Sequence, residues 1–488
     1  MSAVGSILTN TGALNALNSI SNTATNNSML ENQLSSGLSI NSPSDNPAGY
    51  VMAQGLTSQL NGVTQAISNA NQGVSLLQTA QGALSQQVGI VQQLNSISVQ
   101  AANGTQTSQE LQSLQNVVGQ LTGQVTTISH QTQFNNINLL NGSFKNVQLQ
   151  VGANEGQTMS LSIGNTASSA LGMNASTVNF GAATKYNTVQ NASSASGVVT
   201  AGAAAGFTAG NVSWTGNNGN TSSTGVTVNE SAASIAAAVN ATTATTGVQA
   251  QASTQITLKA TAGAAGFAFT LHGSGSAAAT QTINAQNTTA LVSQINGGTA
   301  STGITASLDS SGNVVLNQSN GQNIAISSVT AGSLKTTGST GVATGMNGVT
   351  NAALTVQGQV QFQSGSGFSL GNGSAIGLNT NSTLNSLANV NVTTTAGANK
   401  AINVVKFALQ SLSNQGAQLG ASQQALTANL NNLNTTSQNA TQALGVVQDA
   451  NIPAVSNKLT QAQIQAQAGV AALKSSTTLQ QSYLSLLP

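Results

Sequence analysis

The stretch from residue 55 to residue 93, GLTSQLNGVTQAISNANQGVSLLQTAQGALSQQVGIVQQ, decides the fold. Its Leu56, Leu60, Val63, Ile67, Ala70, Val74, Leu77, Gln81, Leu84, Val88 and Val91 recur at alternating intervals of four and three residues. An apolar stripe with a period of about 3.5 residues is too narrow for an ordinary globular core and suits a coiled-coil partner. The far end of the chain repeats the rhythm at Ile402, Val405, Leu409, Leu412, Gly416, Leu419, Gln423, Leu426, Leu430, Leu433, Ser437, Ala440, Leu444 and Val447. Eleven of those fourteen positions are apolar, and roughly 300 residues of different character lie between the two stripes. The economical reading is that the two ends pair with each other and the middle loops out. Chain ends used in this way belong to assembly proteins more often than to enzymes.

Composition narrows the choice. A chain of 488 residues should hold two to four domains. Only 3% of its residues are charged, against about 25% in ordinary globular proteins. All eight cations are Lys, the carboxylates number seven, and Trp214 is the single tryptophan. Disorder from weak hydrophobicity usually comes with high net charge, but here the net is +1 and the heptads are sustained. The arms are therefore expected to be helical once assembled, although a lone narrow stripe holds an isolated helix poorly. No run approaches the ~18 apolar residues of a membrane span. The start, Met1-Ser2-Ala3-Val4-Gly5-Ser6-Ile7-Leu8, lacks the basic region and continuous apolar core of a secretory signal. Cysteine is absent, so stability must come from packing and assembly. Eight scattered Lys form no basic stripe, which argues against a nucleic-acid partner.

Breaks divide each arm. Residues 1 to about 40 read as a helix with a looser stripe (Val4, Leu8, Leu14, Leu17, Ile20, Ala24, Leu30, Leu34, Leu38). A break follows Gly37 and Asn41, with Asn46 placed to cap the next helix and Pro47 at its first position, where a missing N–H costs nothing. That helix should end at Asn103-Gly104, and Thr107 with Glu110 forms a capping box for another, striped by Leu111, Leu114, Val118, Leu121, Val125 and Ile128. Val147–Val151 and Met159–Ile163 alternate around Gly152–Gly156 and read as a β-hairpin. At the other end Asn451-Ile452-Pro453 breaks the long helix and caps a last one striped by Ile452, Val455, Leu459, Ala462, Ala466, Gly469 and Leu473. The expected fold class is α+β: a long antiparallel helical coiled-coil core from both chain ends, a β-hairpin, and a β-rich central insert. The insert contains a repeat at an offset of 56, Ser234–Asn240 against Ala290–Asn296, each copy reading as a short helix followed by a hairpin.

Several segments resemble bacterial flagellins. At the N-terminal end these are Gln33-Leu34-Ser35-Ser36-Gly37-Leu38-Ser39-Ile40-Asn41-Ser42, closed by Asp45-Asn46-Pro47-Ala48-Gly49, then Val99–Thr105, Gln133–Gly142 and Val151–Gly156. At the C-terminal end they are Ala462-Gln463-Ile464-Gln465-Ala466-Gln467-Ala468-Gly469 and the closing Leu-Ser-Leu-Leu. The resemblance covers about 1–175 and 395–488. It implies a self-assembling subunit of the extracellular filament, exported unfolded through the flagellar type III route and folded at the tip. Residues 1–42 and 452–488 would form the inner tube, 43–175 and 395–451 a coiled-coil domain with the hairpin, and 176–394 surface-exposed outer domains with repeats at about 210–270 and 280–330. A cap, hook-junction proteins and an export chaperone are the implied partners, beside further copies of the chain. A hook–filament junction protein of the same apparatus is the alternative, and a coiled-coil surface adhesin a more distant one. The segment Gln133–Gly142 and the Leu-Ser-Leu-Leu ending favour the filament.

No catalytic constellation is apparent. His130 and His272 have no further His, Cys or carboxylate at metal-ligand spacing, and Gly365-Ser366-Gly367 lacks the Lys-Ser/Thr of a phosphate-binding loop. Neither an enzyme nor a cofactor or metal site is expected. Subunit packing falls to the heptad positions, and the hinges to Gly37, Asn41, Asn46, Pro47, Asn451 and Pro453. One departure from the family pattern is informative. The epitope of the animal innate flagellin receptor aligns an Arg with Gln93, a Leu with Ile97 and a Glu with Val117, so only the apolar member survives in kind. The purified monomer is accordingly predicted to give weak or no receptor signalling in a reporter cell; a response at nanomolar protein would refute this.

Overall fold

The computed structural model describes residues 10–179, 190–191, 210–226, 230–262, 266–273, 280–337, 343–345, 352–356, 358–371 and 381–484. Val4, Leu8 and the final Ser485-Leu486-Leu487-Pro488 lie outside them. The helices are α1 (Thr11–Ser36), α2 (Pro47–Ala102), α3 (Ser108–Gln131), α4 (Ala232–Ala241), α5 (Thr243–Thr246), α6 (Thr288–Gly297), α7 (Thr299–Thr302), α8 (Thr395–Gln448) and α9 (Ile452–Leu484). Their ends follow local chemistry. The Asn10 side chain accepts the Ala13 N–H and opens α1, and Gly37, at φ 74°, closes it in the left-handed region. Asn46 accepts the Gly49 N–H at 3.0 Å ahead of Pro47. Thr107 and Glu110 complete their capping box in both directions. Asn451 accepts the Ala454 N–H at 3.2 Å.

The described residues fall into two compact units, with the boundaries inside α2 and α8. The first draws on Met1–Gln78, Lys145–Ser162 and Leu419–Pro488. In it α1 and α9 run antiparallel: the Asn10 amide reaches Ser476 O at 3.3 Å and Gln480 Oε1 at 2.9 Å, and Ile20 lies against Gly469. The two helix breaks are tied backbone to backbone, Ser39 N–H to Gln448 O at 2.6 Å and Ala450 N–H to Gly37 O at 2.9 Å. Val63 and Ala66 of α2 meet Leu433 of α8, while Gly73 lies beside Leu426. Numbers rise along one helix as they fall along the other, so the pair is antiparallel.

Strands follow the helices in chain order. β1 (Gln133–Phe134) and β2 (Ile137–Asn138) form a tight ribbon whose turn residues Asn135 and Asn136 have φ of 49° and 62°. β3 (Val147–Gln150) and β4 (Thr158–Leu161) are the expected hairpin, in register Val147 to Leu161. The hairpin lies in the first unit and rests on two helical glycines. A Cβ at Gly62 would stand 3.0 Å from the Ala153 Cβ, and one at Gly73 would stand 2.5 Å from Leu149 Cδ2 and 3.1 Å from Leu426 Cδ1. A glycine inside a helix costs about 1 kcal/mol relative to alanine; here it admits a third element to the helix pair.

The second unit draws on Thr79–Phe144 and Ile163–Gln418. Its strands are β5 (Gly172–Asn179), β6 (Gln190–Asn191), β7 (Gly210–Thr215), β8 (Thr221–Val226), β9 (Gln249–Thr261), β10 (Phe267–His272), β11 (Thr280–Ala285), β12 (Ile304–Leu308), β13 (Val314–Gln318), β14 (Ile324–Ala331), β15 (Ser333–Thr337), β16 (Ala343–Gly345), β17 (Ala352–Val356), β18 (Gln359–Ser364), β19 (Ser369–Gly371) and β20 (Thr383–Ser386). One sheet runs β12-β13-β9-β18-β5-β20, with β15 also on β9 and β16 on β15; others run β11-β10-β14-β17-β6 and β19-β7-β8. One core gathers around Trp214, whose ring centroid is 6.2 Å from that of Phe362 and whose N–H reaches Thr242 Oγ1 at 3.2 Å. A second collects Leu258, Phe267, Leu271, Ile283, Leu291 and Ile295.

The repeat is visible atom by atom. Asn240 donates to Ala250 O at 2.9 Å and accepts the Ala250 N–H at 2.8 Å, and Asn296 does the same to Ala306 at 2.9 and 2.7 Å. Gly247 and Gly303 both close their helix at φ 70°. The copies differ at the hairpin, and the expectation of one in each is corrected. Asp309 collects the N–H groups of Ser311 and Asn313, both at 2.8 Å, and folds β12 back on β13. The first copy has no Gly, Pro, Asn or Asp between residues 249 and 261, so β9 runs straight for 13 residues. The segments aligned with each other in sequence pair instead in space, Leu258 opposite Val314 and Ile256 opposite Leu316.

The glycine contacts give a signed prediction. Gly73→Val should lower the unfolding free energy by about 1–3 kcal/mol through overpacking. Gly82→Ala, whose Cβ would meet nothing within 4 Å, should raise it by up to about 1 kcal/mol. Urea midpoints of the two full-length variants check both.

Candidate assembly surface

The heptad stripes divide into inward and half-open positions. On α2, Val63, Leu77, Leu84 and Val91 are buried with Ala70, while Leu56, Leu60, Ile67, Val74 and Val88 are half-exposed. The other buried series stands one residue earlier, at Ala66, Gly73, Ala80 and Gln87. On α3, Leu111, Val118 and Val125 are buried and are joined by Thr122 and Ser129. Leu114, Leu121 and Ile128 stay half-exposed. On α8, Val405, Leu412, Leu419, Leu426, Leu433 and Ala440 are buried, whereas Leu409, Leu430, Leu444 and Val447 are half-exposed. Side-chain size explains the shift. Small residues let backbones approach, and the larger neighbour one position along swings to the rim. The series Ala66, Gly73, Ala80, Gln87 at intervals of seven was the available signal in the sequence.

Gln87 is fully buried and donates to Val125 O at 3.0 Å and Thr166 O at 3.4 Å. Gln115 brackets the chain at Val390 and Val392, donating to one carbonyl at 3.1 Å and accepting the other N–H at 2.7 Å. Amides thus fill contact positions where other proteins use charge.

The same division is sharper on α1 and α9. α1 has no buried residue; its half-buried face reads Ala13, Ala16, Ile20, Thr23, Asn27, Leu30 and Gln33. Leu14 is 51% exposed and Leu17 54%, and across on α9 Ile464 is 61%, Val470 56% and Leu479 55%. Among the described residues, these large apolar side chains stay exposed although α1 and α9 pack against each other. Large apolar side chains left exposed on both helices of the pair offer surface for association.

The hinge residues occupy the breaks. Gly37 caps α1, Asn46 and Asn451 cap α2 and α9, Pro47 opens α2, and Pro453 lies in the first turn of α9. Asn41 donates its N–H to Asp45 Oδ2 at 2.9 Å, and Ser42 does so at 2.8 Å. The backbone N–H groups of Ser42 and Asn41 hold the Asp45 carboxyl below its ordinary pKa. The Thr107 N–H does the same for Glu110. Of the receptor-epitope positions, Gln93 is exposed, Ile97 buried and Val117 39% exposed. His130 is an exposed residue in the last turn of α3. Burial lowers the pKa of His272, whose ring nitrogen lies 2.7 Å from Ser327 Oγ. Among the described residues no group of His, Cys, Asp or Glu is placed to hold a metal, and no helix is long and apolar enough to cross a membrane.

Paired helical arms that leave large apolar side chains exposed define a structural subunit that associates with its own kind. Residues 7–145 match the bacterial flagellin N-terminal helical region, and residues 402–487 match the bacterial flagellin C-terminal helical region. B-type flagellin of Pseudomonas aeruginosa is 32% identical over 499 aligned positions, spanning 98% of this chain and 99% of that protein. The chain belongs to the bacterial flagellin family. Among solved structures, FliC from Burkholderia pseudomallei is 17% identical, covering 72% of this chain and 99% of that one at a TM-score of 0.31. FlgL from Xanthomonas campestris is 10% identical, covering 79% and 98% at a TM-score of 0.33.

Buried and half-open heptad leucines should respond differently to truncation. Leu426→Ala is predicted to cost about 2–5 kcal/mol of unfolding free energy, measured by urea denaturation, and Leu430→Ala clearly less.

Proposed function

We propose that this chain is the major subunit of a flagellar filament used for swimming, and that its outward apolar faces on α1 and α9 are the surfaces that neighbouring copies cover. The observation carrying this is the exposure of Leu14, Leu17, Ile464, Val470 and Leu479 on the paired helices, which no other described residue covers. Burying one such side chain contributes about 1.5–3 kcal/mol, while an exposed ion pair contributes about 0–1 kcal/mol. Apolar burial therefore dominates assembly. Residues 1–42 and 452–488 form the inner tube, 43–175 and 395–451 the surrounding coiled-coil shell, and 176–394 the outer surface. The half-exposed Leu60, Ile67, Val74, Val88, Leu409, Leu430 and Leu444 complete their burial between subunits, and the breaks at Gly37–Pro47 and Asn451–Pro453 let the two layers set different angles. The chain leaves the cell unfolded through the type III route. An export chaperone, a filament cap and hook-junction proteins are its transient partners, and its destination is the extracellular filament.

Electron microscopy of purified protein seeded with sheared appendages tests this reading. Full-length protein should elongate the seeds into long filaments, and a version lacking residues 452–488 should not. Leu60→Asp or Leu430→Asp should also block elongation, because assembly would bury an unpaired carboxylate. Full-length protein that only decorates seed ends would instead indicate a junction protein.

A further inference from the structure

We infer that the filament built by this chain holds together without ionised groups and therefore persists in acid and across a wide range of salt. The inference rests on the filament reading above. Its first support is where the charges are not. α2 carries no Asp, Glu or Lys in 56 residues, and α1 carries only Glu31. α3 carries Glu110 and His130, α8 Lys400 and Lys406, and α9 Lys458 and Lys474. The facing described positions of α1 and α9 are apolar or uncharged polar residues, and the polar contacts between the two helices include those of the Asn10 amide with Ser476 and Gln480. Amides and hydroxyls do not titrate in this range.

The second support is what the carboxylates do. Asp45 binds N–H groups of Asn41 and Ser42, Glu110 the N–H of Thr107, and Asp309 the Asn313 side chain with the N–H groups of Ser311 and Asn313. Each partner lies within four residues, so these groups shape turns and caps rather than join helices. In the compact unit that holds Asp45, α1 carries Glu31, the hairpin segment Lys145 and Glu155, the turn after α8 Asp449, and α9 Lys458 and Lys474. α8 carries Lys400 and Lys406, and β9, which pairs with the strand following the Asp309 turn, carries Lys259. All three carboxyl pKa values are lowered, by these hydrogen bonds. Their contribution is therefore full above the ordinary carboxylate range and is lost as pH falls below it, at three local turns.

Net charge decides the scale. Full protonation takes the chain from +1 to the charge of its eight Lys and two His. A chain of equal length and ordinary composition would reach roughly +60, with correspondingly stronger repulsion. His272 adds an acid response of its own in the central insert. β10, β11, β14, α6 and α7 around it carry no Asp, Glu or Lys, and its lowered pKa means that stability present above the ordinary value of 6.5 is lost as pH falls below it. That loss falls on the central insert, while in the helical arms the losses are confined to the turn at Asp45 and the cap at Glu110.

Filaments elongated from full-length protein near pH 7 would be moved to buffers at about pH 4.5 and 2.5, spanning the carboxylate range, each in about 10 mM and 1 M NaCl, spanning Debye lengths of about 30 to 3 Å. Sedimentation and electron microscopy would follow them. The expected result is a sedimentable fraction that varies less than twofold across all conditions. Dissociation with a midpoint between about pH 3 and 5, or a severalfold change with salt at one pH, would overturn the inference. Failure to elongate at pH 7 would strike the filament reading instead. A variant with Gln424→Glu, Gln438→Glu and Gln442→Glu on the exposed face of α8 should become salt-sensitive at pH 7; a salt response no larger than the parent's would also overturn it.

Discussion

Helices in the arms of this protein approach one another through their smallest residues. Ala13, Ala16, Ala66, Gly73 and Ala80 occupy positions where a conventional coiled coil would place leucine. Close approach through small side chains releases the leucines one position away, and those leucines become surface. The chain cannot bury both sets within itself, because an apolar stripe about 3.5 residues in period covers one partner only. Much else in the arms depends on this geometric surplus. It lets the hairpin rest on Gly62 and Gly73, it leaves α1 without a single buried residue, and it supplies the apolar face that association requires.

The long helices, their caps and the hairpin were legible because each has a local signature. Asn46-Pro47, the Thr107–Glu110 box and the Gly152–Gly156 turn act through neighbours within a few residues, so sequence order is enough to see them. The inward series Ala66-Gly73-Ala80-Gln87 was harder to see, since a search for apolar residues naturally fastens on Ile67, Val74 and Val88 beside it. What decides between the two series is the distance between backbones, which is a tertiary quantity. The straight run of β9 was missed for a related reason. Its aligned partner in the second copy bends at Asp309-Ser310-Ser311-Gly312, and similarity between copies suggested a bend that the first copy lacks the residues to make. The receptor-epitope positions and hinge roles came from resemblance, and the fold locates them on helices and caps without assigning them work.

Amide side chains take over tasks that charge performs elsewhere. Gln87 crosses to two carbonyls from the interior of a helix stripe, Gln115 brackets the segment before α8, and Asn240 and Asn296 hold strands to helices in the two copies of the repeat. Buried amides of this kind fix register, because a slip would leave their donors unsatisfied. They are directional where leucine is not, so specificity of alignment and strength of association are divided between two residue classes.

The insert leaves the helical arms and returns to them along neighbouring strands. β5 and β20 pair directly, Gly172 opposite Ser386 and Ala175 opposite Thr383, and Leu387 N–H closes on Leu171 O at 2.7 Å. Adjacent antiparallel strands stand about 4.8 Å apart, so whatever folds beyond them is fastened to the arms by two closely spaced threads. The separation of the two ends is set by this pairing, whatever the length of chain between them. Chain can thus be added between residues 176 and 382, by lengthening or by duplication such as the internal repeat, without moving the two strand ends apart.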